Sequence, residues 1–225
     1  MTLPEKWKTV LERMSAAQAP VTLRDLKEMG VSKMTVSRMV REGVIENPAQ
    51  GLYALPGSGG SIYADWALVS ARCPKAIVCL LSAASFYGMT QELPHRLTVA
   101  LPHGVSLSMG RGFSLELDVL SWRSEMMHTL GVDVHRIDGV DVSITSPERT
   151  LVDLFRYSSL NRSMRTSAVR VTDEMFLESL DRCDTAMDRF SFESVTAIAR
   201  ELGCYEGIRP FTKTMRFKRS DQTFL

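Results

Sequence analysis

No stretch of this 225-residue chain is apolar for long enough to cross a bilayer. Its longest apolar run, Ala76 to Met89, is interrupted by serines and falls short of the roughly 18 residues that a spanning helix needs, so it belongs in a core. The first residues mix both charges and lack a continuous apolar segment, which argues against a secretory signal and makes the cytoplasm the expected location. Cysteine is scarce: Cys73, Cys79, Cys183 and Cys204 show no Cys-x-x-Cys spacing. Zinc ribbons and dithiol redox centres therefore lack their pattern, and buried reduced thiols are expected. A Gly-x-Ser-x-Gly elbow and a Gly-x-x-x-x-Gly-Lys phosphate loop are both missing. Charge of one sign is not in excess either, with 27 Lys plus Arg against 26 Asp plus Glu, yet a balanced total can hide a local basic surface. What is present is a 44% hydrophobic composition, enough for one small and one larger folded part, each with its own core.

The first 55 residues carry the clearest pattern. Leu3, Trp7, Val10, Leu11 and Met14 recur at helical spacing until Ala16 to Pro20 breaks it. Thr22 can cap a second helix over Leu23 to about Met29, with Asp25 placed to reach back, and Gly30 ends it. Ser32 caps a third helix, Lys33 to Glu42, which Gly43 stops. Two capped helices across a tight turn make a helix-turn-helix. On the third helix Val36, Met39 and Val40 share one face, Thr35, Ser37, Arg38 and Arg41 lie opposite, and Ser32, Lys33 and Met34 stand at its N-terminal end. Arginine, serine and threonine there suit base edges or phosphates, so double-stranded DNA is the expected partner. Val44-Ile45 and Leu52 to Leu55 read as two strands of a wing around Asn47-Pro48-Ala49-Gln50-Gly51, with Asn47 and Gln50 as further DNA-contact candidates. The alternative is a small helical module whose cations form an ordinary solvated face. Residues 1–60 hold eight Lys plus Arg against six acids, a surplus small enough to call for salt-sensitive binding with two copies or a second contact surface.

Pro56-Gly57-Ser58-Gly59-Gly60-Ser61 closes the wing, and the expected division is a DNA-binding domain over 1–56, a hinge over 57–61 and a larger domain over 62–225. In the larger part the pattern predicts helices over Ile62 to Arg72 and Lys75 to Tyr87, strands over Arg96 to Leu101 and Ser114 to Leu120, and a hairpin of Val132 to Ile137 with Val140 to Ile144 across Asp138-Gly139. Ser146-Pro147-Glu148-Arg149 opens a helix, with a serine cap and proline at its first position. Arg149, Asp153 and Arg156 are spaced for an ion-pair ladder on the surface of that helix. Helices near Asp173 to Asp184 and Phe192 to Leu202 precede a basic tail with Arg209, Phe211, Lys213, Arg216, Phe217, Lys218 and Arg219. The tail's cations could meet an acidic protein surface or the DNA backbone, or be a solvated terminus. The fold class is therefore α+β or mixed α/β: an N-terminal winged helix-turn-helix, then a larger domain with a small mixed sheet and C-terminal helices.

Enzymatic readings find little. Glu116 and Asp118 share a strand face as magnesium ligands might, but no lysine follows and alternating acids with leucines is what a half-buried outer strand looks like. His95 and His103 sit in the near-repeats Leu93-Pro94-His95 and Leu101-Pro102-His103, which solvated strand ends explain more simply than a shared ligand. No cofactor or metal is expected.

Three segments in order, Val40-Arg41-Glu42-Gly43-Val44-Ile45 with Gly51-Leu52-Tyr53-Ala54-Leu55, then Ser82-Ala83-Ala84-Ser85-Phe86-Tyr87-Gly88-Met89-Thr90, then Ser146-Pro147-Glu148-Arg149-Thr150-Leu151-Val152-Asp153-Leu154-Phe155, resemble the AbiEi family of antitoxins. The resemblance implies the DNA-binding half of a type IV toxin-antitoxin system. Its partners would be inverted repeats in its own promoter, read through Ser32 to Glu42 and the wing at Asn47 to Gly51, and a co-encoded nucleotidyltransferase-like toxin countered by the second domain. The rival is a plain winged-helix regulator whose second domain senses a ligand or dimerises.

Overall fold

Capping chemistry and apolar spacing set the N-terminal elements. They are seen in a computed structural model that describes residues 4–58, 60–110, 113, 115–161, 169, 171–186 and 190–222, with the side chains of residues 6, 184–186 and 215–222 outside the description. Helix α1 spans Glu5–Ala17, followed by β1 (Val21–Thr22), α2 (Leu23–Glu28) and α3 (Lys33–Arg41). At α2 the Thr22 side chain accepts the Asp25 N–H while the Asp25 carboxylate accepts the Thr22 N–H at 2.7 Å, a full capping box. Trp7, Val10, Met14, Leu26, Val36, Met39 and Ile45 are buried together, each such side chain contributing about 1.5–3 kcal/mol.

The wing differs from expectation in two ways. Its first strand, β2, runs over Glu46–Ala49, not Val44-Ile45, and pairs antiparallel with β3 (Leu52–Ala54). Asn47-Pro48 looks like turn chemistry, but the loop is only Gln50-Gly51; Pro48, having no N–H to donate, sits where the ladder is irregular between Glu46 and Ala49. Ile45 instead turns into the core. In addition β1, too short to show periodicity, joins β3, so the sheet has three strands in the order β1-β3-β2. Helix α4 (Ala64–Arg72) follows. The first compact unit comprises Met1–Ala76 with Val105–Leu115 and Val134–Ser143, and the second comprises Ile77–Gly104, Glu116–Asp133 and Ile144–Leu225.

The single helix expected over Lys75 to Tyr87 is instead β4 (Ile77–Val78) and then α5 (Leu80–Phe86). Periodicity alone does not separate a short, fully buried strand from a buried helical turn. Strands β5 (Arg96–Pro102) and β6 (Glu116–Trp122) lie parallel, from Arg96 opposite Glu116 to Pro102 opposite Trp122, so the chain crosses over between them. Strands β7 (Val132–Ile137) and β8 (Val140–Thr145) form the expected hairpin, with Asp138 and Gly139 at φ 43° and 72° as its turn requires. The mixed sheet has the order β6-β5-β4-β8-β7.

Among the described residues four helices follow: α6 (Pro147–Tyr157), α7 (Asp173–Ala186), α8 (Phe192–Glu201) and α9 (Tyr205–Gln222). The stretch read as a tail is thus helical. Ile208 is buried, and Phe211 closes a ring cluster with Phe155 and Phe176 at centroid distances of 6.0 and 5.3 Å; the surrounding cations mask this apolar face in the sequence.

Helix α6 packs against α5, α7 and α8, and this corrects the surface ladder. Arg149 and Asp153 are both fully buried, and Arg156 is 16% exposed. Arg149 Nε donates to Asp153 Oδ2 at 2.8 Å and Nη1 to the Leu130 carbonyl at 2.6 Å, while Arg156 Nη1 donates to Asp153 Oδ1 at 2.9 Å. The Arg149 guanidinium also lies 4.8 Å from the centre of the Trp122 ring. Spacing reveals such a ladder, but whether water reaches it depends on how many neighbours the helix has. Truncating Asp153 to alanine would strand a buried guanidinium and is expected to destabilise the fold by about 3–5 kcal/mol in urea unfolding, whereas the double variant Arg149→Met, Asp153→Leu should lose much less.

Candidate nucleic-acid interface

Helix α3 is the centre of the candidate site. Ser32 Oγ accepts the Thr35 N–H at 3.2 Å and lies 2.9 Å from Thr35 Oγ1, so these two hydroxyls are engaged in the cap itself. Val36 and Met39 point into the core, and Ser32, Lys33, Met34, Ser37, Arg38 and Arg41 are exposed, Met34 by 82%. Ser37 Oγ donates to the Lys33 carbonyl at 3.1 Å. Arg38 stacks over Trp7, its guanidinium carbon 4.8 Å from the ring centre, with Glu42 3.8 Å from its Nε. Among the described residues Lys33 and Arg41 have no ion pair or hydrogen bond from their side chains, which leaves them the most available cations on the helix.

The wing residues are more constrained. Asn47 Nδ2 donates to the Ala49 and Leu52 carbonyls, holding its own hairpin together. The Gln50 N–H donates to the Met109 carbonyl at 2.9 Å, and the Gly51 carbonyl accepts the Leu23 N–H at 3.2 Å. Gly110, at φ +70°, lies so close to Gln50 that a Cβ placed there would be 2.4 Å from the Gln50 Cβ. Residues 105–110 therefore brace the wing turn. In the sequence this stretch is simply a glycine-rich loop, and no local signal marks its docking partner.

The tail cations are divided. Arg209 Nη1 is 3.6 Å from Glu206, Lys213 is exposed, and the side chains of Arg216, Lys218 and Arg219 lie outside the described residues. Elsewhere the candidate acids and His103 are engaged by neighbouring groups. Arg96 is clamped by Glu116 and by Asp118 Oδ1 at 2.6 Å, and it donates to the Leu117 carbonyl. His95 precedes β5 and His103 follows it, so the strand separates them; His103 Nδ1 is 3.3 Å from Ser121 Oγ. No group of three His, Cys, Asp or Glu among the described residues could hold a metal ion. Cys79, Cys183 and Cys204 are buried and Cys73 half-buried. Burial, with Asp153 adding to it, pushes the Cys79 thiol well above the usual thiol range, and burial pushes Cys204 up to about 11.

A capped helix with an apolar inner face and a cationic outer face, preceded by a short capped helix and followed by a hairpin, defines a winged helix-turn-helix of the transcriptional-regulator class. Family models give the particular assignment: residues 12–56 match "Transcriptional regulator, AbiEi antitoxin" and residues 76–187 match "AbiEi antitoxin C-terminal domain". The chain belongs to the AbiEi antitoxin family, a family of transcriptional regulators. Among solved structures it is similar to the crystal structure of the RV2827C protein from Mycobacterium tuberculosis, with a TM-score of 0.59 and 15% identity over 95% of this chain and 78% of that one. That likeness concerns the fold alone. No curated protein matches the chain in sequence. No helix among the described residues is long and apolar enough to cross a membrane.

Replacing Gly110 with alanine is expected to displace residues 105–110 from the wing, both by the positive φ and by the collision with Gln50. The Gln50 amide should then exchange with solvent faster while the amides of α3 keep their protection; unchanged Gln50 exchange would show that the brace tolerates the extra carbon.

Proposed function

We propose that the protein is a cytoplasmic antitoxin of a type IV system that represses its own operon and counters a co-encoded nucleotidyltransferase-like toxin. The observation that carries the DNA half of this reading is the α3 face, where Lys33, Met34, Ser37, Arg38 and Arg41 stand exposed above buried Val36 and Met39. Laid in a major groove, such a helix offers Arg41 to a guanine edge or phosphate, Lys33 to a phosphate and Met34 to a thymine methyl. Ser32 and Thr35 stiffen the helix start. Asn47 and Gln50 serve by shaping the wing, their exposed side chains reaching the backbone at most from a fixed turn.

The cationic surface is small, which favours two copies of the protein on an inverted repeat over one copy on a half-site. The division of labour we propose places DNA reading in residues 1–56, a joint at 57–61 and toxin neutralisation in 62–225; among the compact units, α4 goes with the first. The matched C-terminal family supports an antitoxic role for the second part. The tail cations Arg209, Lys213, Arg216, Lys218 and Arg219 are offered as a contact for the toxin or the DNA backbone.

Arg41→Ala is expected to weaken binding to the duplex upstream of the reading frame by about 1–3 kcal/mol, the loss of one bidentate base contact, in a titration at constant salt. Unchanged affinity would remove α3 as the reader. For the second half, the adjacent reading frame is expressed with and without this protein supplied from an unrelated promoter. Relief of growth arrest is the expected result; a toxic neighbour left unrelieved would leave a plain regulator.

A further inference from the structure

Arg72 lies beyond the stretch expected to read DNA, at the exposed end of α4. The fold brings it beside that stretch. A groove of about 280 Å³ opens between the start of α2, the wing turn and the end of α4, lined by Leu23, Arg24, Gln50, Gly51, Ala71 and Arg72 among others. We infer that this groove seats a phosphate of the DNA backbone, with Arg72 and Arg24 supplying the charge. The inference rests on the DNA-binding reading above and extends it to a contact outside the helix-turn-helix.

Four observations point the same way. None of the groove's lining residues is acidic, so an anion entering it meets two guanidinium groups and no carboxylate in the wall. Arg72 has no ion pair or hydrogen bond from its side chain among the described residues, and Arg24 is held only by Glu28, at 3.1 Å, with the two side chains 86% and 64% exposed. A pair so open to water exchanges readily for a phosphate. The wall is also preorganised, because the Gly51 carbonyl is tied to the Leu23 N–H and the Gln50 N–H to the Met109 carbonyl, so binding need not first order the wing turn. Finally, the first helix of a helix-turn-helix crosses the DNA backbone while the second enters the major groove, and the groove opens at the start of that first helix, α2. Helix α2 is only six residues long, so the guanidinium groups and not its terminal amides provide the attraction. A phosphate seat here supplies the second contact surface that the modest charge of α3 calls for.

The test uses the full chain and its Arg72→Ala, Arg24→Ala and Arg72→Lys variants. Each is titrated with the duplex upstream of the reading frame and with an unrelated duplex of equal length, between about 50 and 200 mM salt. Arg72→Ala and Arg24→Ala should weaken both duplexes alike and flatten the slope of log affinity against log salt by about 0.9 each, so that the wild-type advantage shrinks roughly threefold across that range. Arg72→Lys, which keeps the charge, should stay close to wild type. An unchanged slope for Arg72→Ala overturns the seat, and so does a loss confined to the upstream duplex, which would mark a base contact. Arg41→Ala separates the two ideas: if it weakens the upstream duplex while Arg72→Ala changes nothing, the reader stands and the seat falls, and if neither variant changes binding, both fall. Thermal unfolding of each variant shows whether the fold is kept; should Arg72→Ala melt early, Arg72→Gln, which retains the stem, takes its place.

Discussion

A guanidinium shut away from water can be kept only by partners that replace its hydration, and at Arg149 those partners come from three places in the chain. Asp153 neutralises it from the next turn of α6, the Leu130 carbonyl meets it from the segment before β7, the Trp122 ring lies against it at the end of β6, and Arg156 balances the second carboxylate oxygen of Asp153. The Trp122 indole in turn donates to the Tyr157 hydroxyl at the far end of α6, and the Ser146 N–H donates to the Gly131 carbonyl. Desolvating these ions costs several kcal/mol each, a penalty offset only when all the contacts are made at once. These contacts tie the end of β6 and the segment before β7 to the central helix α6 of the second unit. Cys79 is drawn into the same environment, its thiol kept protonated by burial and by the field of Asp153.

This gives the run from Ser146 to Phe155 a physical meaning. It lies within the matched C-terminal family region, and most of its residues are turned inward: a cap at Ser146, the buried pair at Arg149 and Asp153, a Thr145–Thr150 hydroxyl contact at 2.8 Å, and apolar side chains between them. Glu148, partly buried, accepts the Ser191 N–H at 3.1 Å and ties α6 to the approach of α8. A motif of this kind holds the packing of the second unit.

The first unit is organised on a different principle. Its helices are short, and hydroxyl or carboxyl caps begin α2 and α3, so the recognition helix is aimed by its own first residues and by the core beneath Val36 and Met39. Its wing is held from both sides, by α2 through Gly51 and by residues 105–110 through Gln50. A hairpin fastened in this way has little conformational entropy left to lose on binding a partner, at the expense of polar groups that a free wing would expose.

Read along the chain, the caps at Thr22, Ser32 and Ser146, the Asp138-Gly139 turn and the inner faces of α1 and α3 were legible without any structure, because each depends on hydrogen bonds and backbone preferences acting within a few residues. The exposed cations of α3 were legible for the same reason. Strands β1 and β4 were not, being two residues each and without a period of their own, and β2 was displaced by turn-like residues that the ladder accommodates. Neither the parallel pairing of β5 with β6 nor the docking of Phe211 nor the bracing of Gln50 leaves a local trace. By itself the sequence determined where helices start, which faces are apolar and which charges are spaced to meet. Only the tertiary structure decided that the Arg149–Asp153 pair is buried, that the tail is a helix and that Arg72 lies beside the wing, since burial and distant neighbours are set by how elements pack and not by the residues adjoining them.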